Sequence, residues 1–259
     1  MLAVERRSQI EQMIMKNKSV LVPELAKMFD VTTETIRSDL EKLEKQGVLV
    51  RTYGGATLVE SVEEDMAIHE RETVNFEGKQ SIGRRAAEMI KEGETVFLDA
   101  STSSLHLARN IKDKKSLTVI TNAEKIVMEL AGCDNIRVIC TGGRLHQKNM
   151  SYIGRVVEDT IRANYYANKV FFSCRGVTLG RGMMESTEAE AEIKKAMISC
   201  SEKAIFLCDK NKLGRLGVPV IGGLDKIDCM ITDIQLDEKW TDALGEQDVR
   251  LITVGGSDK

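Results

Sequence analysis

Two sets of residues in this 259-residue chain have the types and spacing to do chemistry. The first is the run Asp30-Val31-Thr32-Thr33-Glu34-Thr35-Ile36-Arg37-Ser38-Asp39-Leu40. Val31, Ile36, Leu40 and Leu43 fall at helical spacing and predict one apolar face. Between them stand Thr32, Thr33, Thr35, Arg37 and Ser38, short hydroxyl groups with one guanidinium. Such a face suits the DNA major groove, where hydroxyls reach phosphates and base edges and Arg pairs with guanine O6/N7 or a phosphate. An ordinary amphipathic helix N-capped by Thr32 or Thr33 would spend the same hydroxyls on its own amides.

The second set lies at the ends of apolar, β-prone runs. Asp99-Ala100-Ser101-Thr102-Ser103-Ser104 follows one such run and leads into a helical pattern. Hydroxyls and free amides at a helix N-terminus form a phosphate cradle. Thr121-Asn122, Thr141-Gly142-Gly143-Arg144, Ser173-Cys174-Arg175-Gly176 and Asp209-Lys210-Asn211-Lys212 end four further runs. Each alone also reads as a solvated turn or cap. Together they predict a site for a phosphorylated small molecule, with hydrogen-bonding groups for a sugar and Arg175 and lysines to balance an anion.

Both sets need elements to hold them. Ile10, Met13 and Ile14 predict a helix over Leu2–Met15, broken at Asn17-Lys18-Ser19. Val22–Phe29 reads as a short second helix with Pro23 in its first turn. Asp30-Val31-Thr32 is a turn, and the recognition helix runs to Lys45 before Gly47 ends it. Val48–Leu58, two β-prone runs around Gly54-Gly55, then predicts a hairpin. A hairpin after a recognition helix is the wing of a winged helix, where Arg51 and Tyr53 suit phosphate or minor-groove contact. The expected division is a winged helix-turn-helix over 1–58, an acidic polar linker over 59–78 that becomes helical towards Ile82, and an α/β domain over 79–259. In that domain helical stretches alternate with near-continuously apolar runs, which implies a mostly parallel sheet covered on both faces. Ligands of such sheets bind at the carboxyl ends of strands.

Composition narrows the class. Hydrophobic residues at 42% and charged residues at 30% are those of a globular chain rather than a disordered one. A net charge of −3 gives no global attraction to nucleic acid, so any DNA footprint is local. Nine bases oppose nine carboxylates through Glu60, so useful affinity is expected to need two copies of the module on paired half-sites. The six cysteines lack CxxC spacing and the three histidines are scattered, which predicts buried free thiols and no metal or cofactor. The first residues lack the apolar core of a signal peptide, and no apolar run is long enough to span a bilayer, so a cytoplasmic protein is expected.

The segment from Arg6 to Ala56 resembles the DeoR family of bacterial transcriptional repressors. There a run of the form T-[IV]-R-x-D-L lies on the recognition helix and a glycine-pair wing follows, matched here by Thr35–Leu40 and Arg51–Ala56. Phe97-Leu98-Asp99 with its Ser/Thr loop, Thr121-Asn122, Thr141-Gly142-Gly143, Gly154, Glu188-Ala189-Glu190 and Asp209-Lys210-Asn211-Lys212 are similar to the family's sensor domain. The resemblance covers nearly the whole chain. It implies a repressor of a sugar-catabolism operon that binds double-stranded operator DNA as a homodimer or homotetramer. It also implies a sensor domain related to ribose-phosphate isomerases, with a phosphorylated sugar as effector, Asp99, Ser101, Thr102, Ser103 and Ser104 lining its pocket and Asn122, Gly142, Gly143 and Lys210 around it. The loop Asp-Ala-Ser-Thr-Ser departs from relatives that have Gly before paired threonines, so backbone approach to the phosphate is expected to differ. The alternative is a sugar-phosphate isomerase with an appended DNA-binding module. It would need a base and a cation from Asp99, Glu185 or Glu188, and Lys210.

Overall fold

The computed structural model describes residues 3–17, 19–45, 49–52, 54–58 and 66–255. The chain divides into two compact units, Met1–Glu64 and Asp65–Lys259.

In the first unit α1 (Ala3–Asn17), β1 (Ser19–Leu21), α2 (Val22–Phe29), α3 (Thr33–Lys45), β2 (Leu49–Thr52) and β3 (Gly55–Leu58) follow in order. Ile10 and Ile14 on α1, Leu25 on α2, and Ile36, Leu40 and Leu43 on α3 are all buried in one small core. Their 3–4 residue spacing gives each helix one apolar stripe, and the three stripes meet. Asp30 ends α2 in the left-handed region (φ 52°) and turns the chain into α3. One element was not expected. The chain after the break forms β1, which pairs antiparallel with β3, so the sheet has three strands in the order β1-β3-β2. Burial of Val20 beside Ala56 explains it. Gly47 and Tyr53 lie outside the described residues.

α1 and α3 are also joined by charge. Arg6 Nε donates to Asp39 Oδ2 at 2.6 Å, Arg7 reaches Asp39 Oδ1 at 3.4 Å, and Arg6 and Asp39 are both buried. Asp39 is therefore a packing residue on the inner side of the recognition helix.

The second unit runs α4 (Ile68–Thr73), α5 (Phe76–Glu88), β4 (Thr95–Leu98), α6 (Thr102–Arg109), β5 (Leu117–Thr121), α7 (Glu124–Leu130), β6 (Ile136–Cys140), β7 (Arg144–His146), β8 (Ser151–Ile153), α8 (Arg155–Asn164) and β9 (Ala167–Phe172). β10 (Gly176–Thr178), β11 (Gly182–Met184), α9 (Glu188–Ser199), β12 (Ser201–Cys208), β13 (Val220–Gly222), β14 (Cys229–Thr232), α10 (Glu238–Glu246) and β15 (Arg250–Thr253) complete it. Seven strands form one parallel sheet in the order β15-β14-β12-β9-β4-β5-β6. Alternate side chains feed two cores. Phe97, Val170, Phe172 and Phe206 pack with α8 and α9, while Val96, Leu98, Phe171 and Ile205 pack with α5, α6 and α7. From β4 the chain winds outward through β5 and β6, then returns to place β9 on the other side of β4. The topological switch point therefore lies between β4 and β9, where ligands of open α/β sheets bind.

Three expectations are corrected. Within the expected linker 59–78, residues 59–65 lie outside those described, and the remainder is not linker. Ile68 is buried on α4, Glu72 pairs with Arg109 (2.5 Å) and Lys125 (2.7 Å), and α5 begins at Phe76. The expected alternation of helices with parallel strands is interrupted by an antiparallel hairpin, β7–β8, that the sequence did not indicate, and α8 starts after it at Arg155. Of the six thiols, Cys174, Cys208 and Cys229 are buried, Cys133 and Cys200 are half-buried, and Cys140 is exposed at the end of the edge strand β6.

Replacing Asp39 by Ala leaves the Arg6 guanidinium buried without a counter-charge, a loss of about 3–5 kcal/mol. In urea titrations of the full chain, circular dichroism should show the transition of the first unit moved to lower urea. Fluorescence of Trp240, the single tryptophan, should report an unmoved transition for the second unit. An unmoved dichroism curve would mean that the pair contributes nothing.

Candidate functional site

On the first unit the expected DNA-contacting residues separate by role. Thr32 caps α3, its Oγ1 accepting from the Thr35 amide at 3.2 Å and lying 3.0 Å from Thr35 Oγ1. The capping alternative thus holds for Thr32. Ser38 is exposed, Thr33 and Thr35 are half-buried, and 61% of the Arg37 side chain is exposed. Among the described residues Arg37 meets Glu34, one turn earlier, at 3.3 Å. Such an exposed i,i+3 pair contributes a few tenths of a kcal/mol and yields readily to a phosphate or base. Arg51 differs. Its Nε donates to Glu44 at 2.8 Å and its amide to the same carboxylate at 3.0 Å, which ties β2 to the end of α3.

On the second unit the switch point is occupied by a buried carboxylate. Asp99, 1% exposed, ends β4. Its Oδ1 accepts from the hydroxyls of Ser101 (2.6 Å) and Ser104 (2.5 Å) and from the Ser101 amide (3.3 Å). Its Oδ2 accepts from the Ser173 amide (3.1 Å) and stands 3.2 Å from Lys194 Nζ. Asp99 was expected to line the pocket. It lies beneath, because its lone pairs are spent on the loops that do.

Lys194 is buried and also approaches Glu185 (3.1 Å) and Glu190 (3.9 Å). Burial works against its charge, but Glu185, Asp99 and Glu190 outweigh it and raise its pKa. Burial likewise opposes the Glu190 carboxylate. His146, Lys194, Ser151 and Asn149 hold it down at about 2 all the same.

Above this cluster opens a polar cleft with an inner and an outer compartment that share lining residues. The inner one is lined by Ser101, Thr102, Asn149, Ser173, Glu190 and Lys194, and the outer one by Lys79, Arg175, Asp209 and Arg215. Arg71, Glu185 and Lys212 line both. In the outer compartment five cations face two carboxylates, so its charge favours an anion. The first amides of α6, having no intrahelical acceptor, add donors beside Thr102. Among buried polar atoms without a partner, Ser173 Oγ belongs to the inner compartment, and Asp209 Oδ2 to the outer. A buried unpaired oxygen costs about 1–3 kcal/mol, which a ligand hydroxyl would recover.

Of the ten expected ligand residues, Ser101, Thr102 and Arg175 line the cleft. Asp99 and Ser104 support its floor, and Ser103 is buried in α6. Lys210 is exposed and offers its amide to Asp233 at 2.7 Å, while Lys212, two residues on, lines both compartments. The short 3-10 turn over Lys210–Lys212 sends alternate lysines to different sides. Asn122 is buried and donates to the Tyr152 carbonyl (3.0 Å), so it fixes the hairpin that carries Asn149 and Ser151 between its strands and in β8. Gly142 and Gly143 make the turn into β7 with φ of 70° and 108°. A side chain at 143 would come within 2.4 Å of Val157, so this glycine pair is a folding requirement away from the cleft.

Sequence reasoning missed Arg71, Lys79, Asn149, Glu190 and Lys194 as cleft residues. Only Glu190 carried a signal, as part of the Glu188-Ala189-Glu190 motif. The three groups an isomerase would need are not gathered. Asp99 is sequestered, Glu188 and Lys210 are exposed, and only Glu185 lines the cleft. Among the described residues no cluster fits a metal ion and no helix is long and apolar enough to cross a membrane.

A three-helix unit with a winged sheet, joined to a parallel α/β domain with a polar cleft at its switch point, defines a DNA-binding regulator with a ligand-sensing domain. The comparisons agree. Residues 6–62 match the DeoR-like helix-turn-helix domain and residues 74–234 the DeoR C-terminal sensor domain, so the chain belongs to the DeoR family of helix-turn-helix transcriptional regulators. It is 39% identical over 254 residues to the HTH-type transcriptional regulator YulB of Bacillus subtilis (strain 168), covering 98% of each chain. It is 33% identical over 238 residues to the HTH-type transcriptional regulator GolR of Listeria innocua serovar 6a, covering 92% of this chain and 93% of that one. Among solved structures, ribose 5-phosphate isomerase A of Methanocaldococcus jannaschii aligns with a TM-score of 0.40 and 12% identity over 54% of this chain and 55% of that one. The family is one of regulators rather than enzymes.

Lys79 makes anion binding sensitive to pH. It is 3% exposed, and its Nζ donates to the Arg71 carbonyl at 2.5 Å. Burial lowers its pKa from 10.5 to about 8, Asp209 and Glu72 opposing this and Lys212 and Arg71 adding to it. Between pH 8 and 10.5 the unfolded chain keeps this proton and the folded chain does not, so this group's contribution to stability rises with pH across that window. Anion binding has the opposite sign. Below about 8 the cation is present, and above it a proton must be recaptured. Calorimetric titration with inorganic phosphate from pH 7 to 9.5 should show affinity falling above pH 8, by at most about tenfold per unit. Lys79→Met should give a weaker and flatter profile; a slope equal to wild type would place the titrating group elsewhere.

Proposed function

We propose that this regulator is a repressor of sugar-catabolism genes whose operator affinity is set by a phosphorylated sugar bound in the switch-point cleft. The observation that carries the reading is the cleft's composition. Five cations stand at its outer end, and hydroxyl, amide and carboxylate groups line its inner end. Such a site takes an anion and a polyol in one molecule. Arg37, Ser38 and Thr33 on α3 would read the operator, with Arg51 at the wing. The balanced charge of the DNA-binding unit supports action as a homodimer or homotetramer on paired half-sites, because one copy has little non-specific affinity to add. Effector binding then acts by population shift, favouring the arrangement of sensor domains whose paired modules match or mismatch the half-sites.

The test is a fluorescence-anisotropy titration of the full chain on the region upstream of its own gene, with and without a panel of pentose and hexose phosphates. Specific binding that one sugar phosphate changes is the expected result. Specific binding insensitive to the whole panel would overturn the effector reading, and no preference over random DNA would overturn the choice of operator. In the same assay Arg37→Ala should cost about 1–3 kcal/mol on the specific site. An equal loss on random DNA would make Arg37 a phosphate contact. Thr102→Val should weaken the effector response without altering operator affinity in its absence.

A further inference from the structure

We propose that Arg71 binds the anionic group of the effector, and that α4 is the element through which occupancy of the cleft reaches the DNA-binding unit; this rests on the cleft being the effector site.

Arg71 lies on α4, the first described helix after the end of the DNA-binding unit at Glu64. It lines both compartments, so it is within reach of the ligand whichever way round the ligand sits. Its Nη2 is held by Asn149 Oδ1 at 2.8 Å, and Asn149 in turn meets Glu190 at 3.4 Å. Its Nε is buried and has no partner. A guanidinium with one arm fixed and another buried donor unpaired is already oriented for a phosphate or carboxylate oxygen, at little further entropic cost. The second unpartnered atom, Asp209 Oδ2, is nine-tenths buried and lines the outer compartment with it.

α4 is built to move as one piece with this contact. The Arg71 carbonyl accepts from Lys79, which also lines the cleft, so an anion drawing on both residues acts on the backbone of α4 as well as on a side chain. Met66 and Val74, on either side of α4, line the outer compartment, so the segment forms part of its wall. The far side of α4 is pinned by charge rather than by a deep core. Glu72 pairs with Arg109 on α6 and Lys125 on α7, and Ile68 is the one buried apolar residue of the helix. Half-exposed ion pairs hold position weakly. They allow the small shift that closing the Arg71 fork on a ligand would require and tie α4 to α6 and α7 so that it is made as a unit; without Glu72 that tie is lost and the shift is not passed on. The chain then leads back from α4 to the winged unit through only a few residues.

The experiment uses the full chain. Calorimetry against inorganic phosphate and the pentose and hexose monophosphates selects the tightest ligand, and Arg71→Met should weaken it at least tenfold. Arg71→Lys should recover part of the loss, since it keeps the charge and lacks the fork. Glu72→Gln should leave ligand affinity within threefold of wild type and reduce the ligand-induced change in operator affinity at least fivefold by anisotropy. Wild-type ligand affinity in Arg71→Met, or Arg71→Lys no better than Arg71→Met, would overturn the contact. A full operator response in Glu72→Gln would overturn the role of α4. No binding of any sugar phosphate to the wild-type chain would overturn the reading of the cleft itself, a different result from either.

Discussion

The sensor unit depends on one buried ion pair, Asp99 with Lys194. Asp99 gathers the Ser/Thr loop after β4, the amide of Ser173 after β9 and the ammonium of α9 around a single carboxylate. These three segments come from distant parts of the chain, and each places a wall of the cleft. A buried charge pair of this kind is weak evidence of stability, because desolvation offsets much of its attraction. What it supplies is position. With its oxygens saturated, Asp99 fixes Ser101 as the cap of α6 and leaves Thr102 on the lining of the inner compartment.

The same economy explains why the cleft retains charge at a cost. Lys79 is buried against its own desolvation, and Asp209 and Ser173 hold polar atoms with no partner. Groups so placed destabilise the empty unit slightly and would be satisfied together by the proposed ligand, which carries an anion and hydroxyls. Floor and wall are thus divided. The floor gathers three carboxylates around Lys194, and the outer wall keeps excess positive charge.

In the DNA-binding unit Asp39 plays the corresponding part. It faces inward from the recognition helix, and Arg6 on α1 closes on it, so the angle of α3 is set by charge as well as by Ile36, Leu40 and Leu43. Arg37 and Ser38, its immediate predecessors, face outward. The inner face of this helix thus docks it on α1, and the outer face is left free for the proposed reading of DNA.

The sequence by itself determined the periodic and the local. Helical spacing at Ile36, Leu40 and Leu43, the glycine pair of the wing, and apolar runs alternating with helices fix the two-domain architecture, since period and turn chemistry act between near neighbours. The placement of a polar loop after each strand was equally legible, and Ser101, Thr102 and Arg175, which line the cleft, stand in those loops. What the tertiary structure alone decided is which of those loops meet. Strand order set the switch point between β4 and β9, and that brought Arg71, Lys79, Asn149 and Lys194 into the cleft from helices and a hairpin without strand-end motifs. It also placed Asp99 beneath the cleft rather than on its wall, and Lys212 rather than Lys210 among the lining residues. Each of these depends on contacts between residues far apart in the chain, and no periodicity within a segment encodes which distant segment will neutralise its charge.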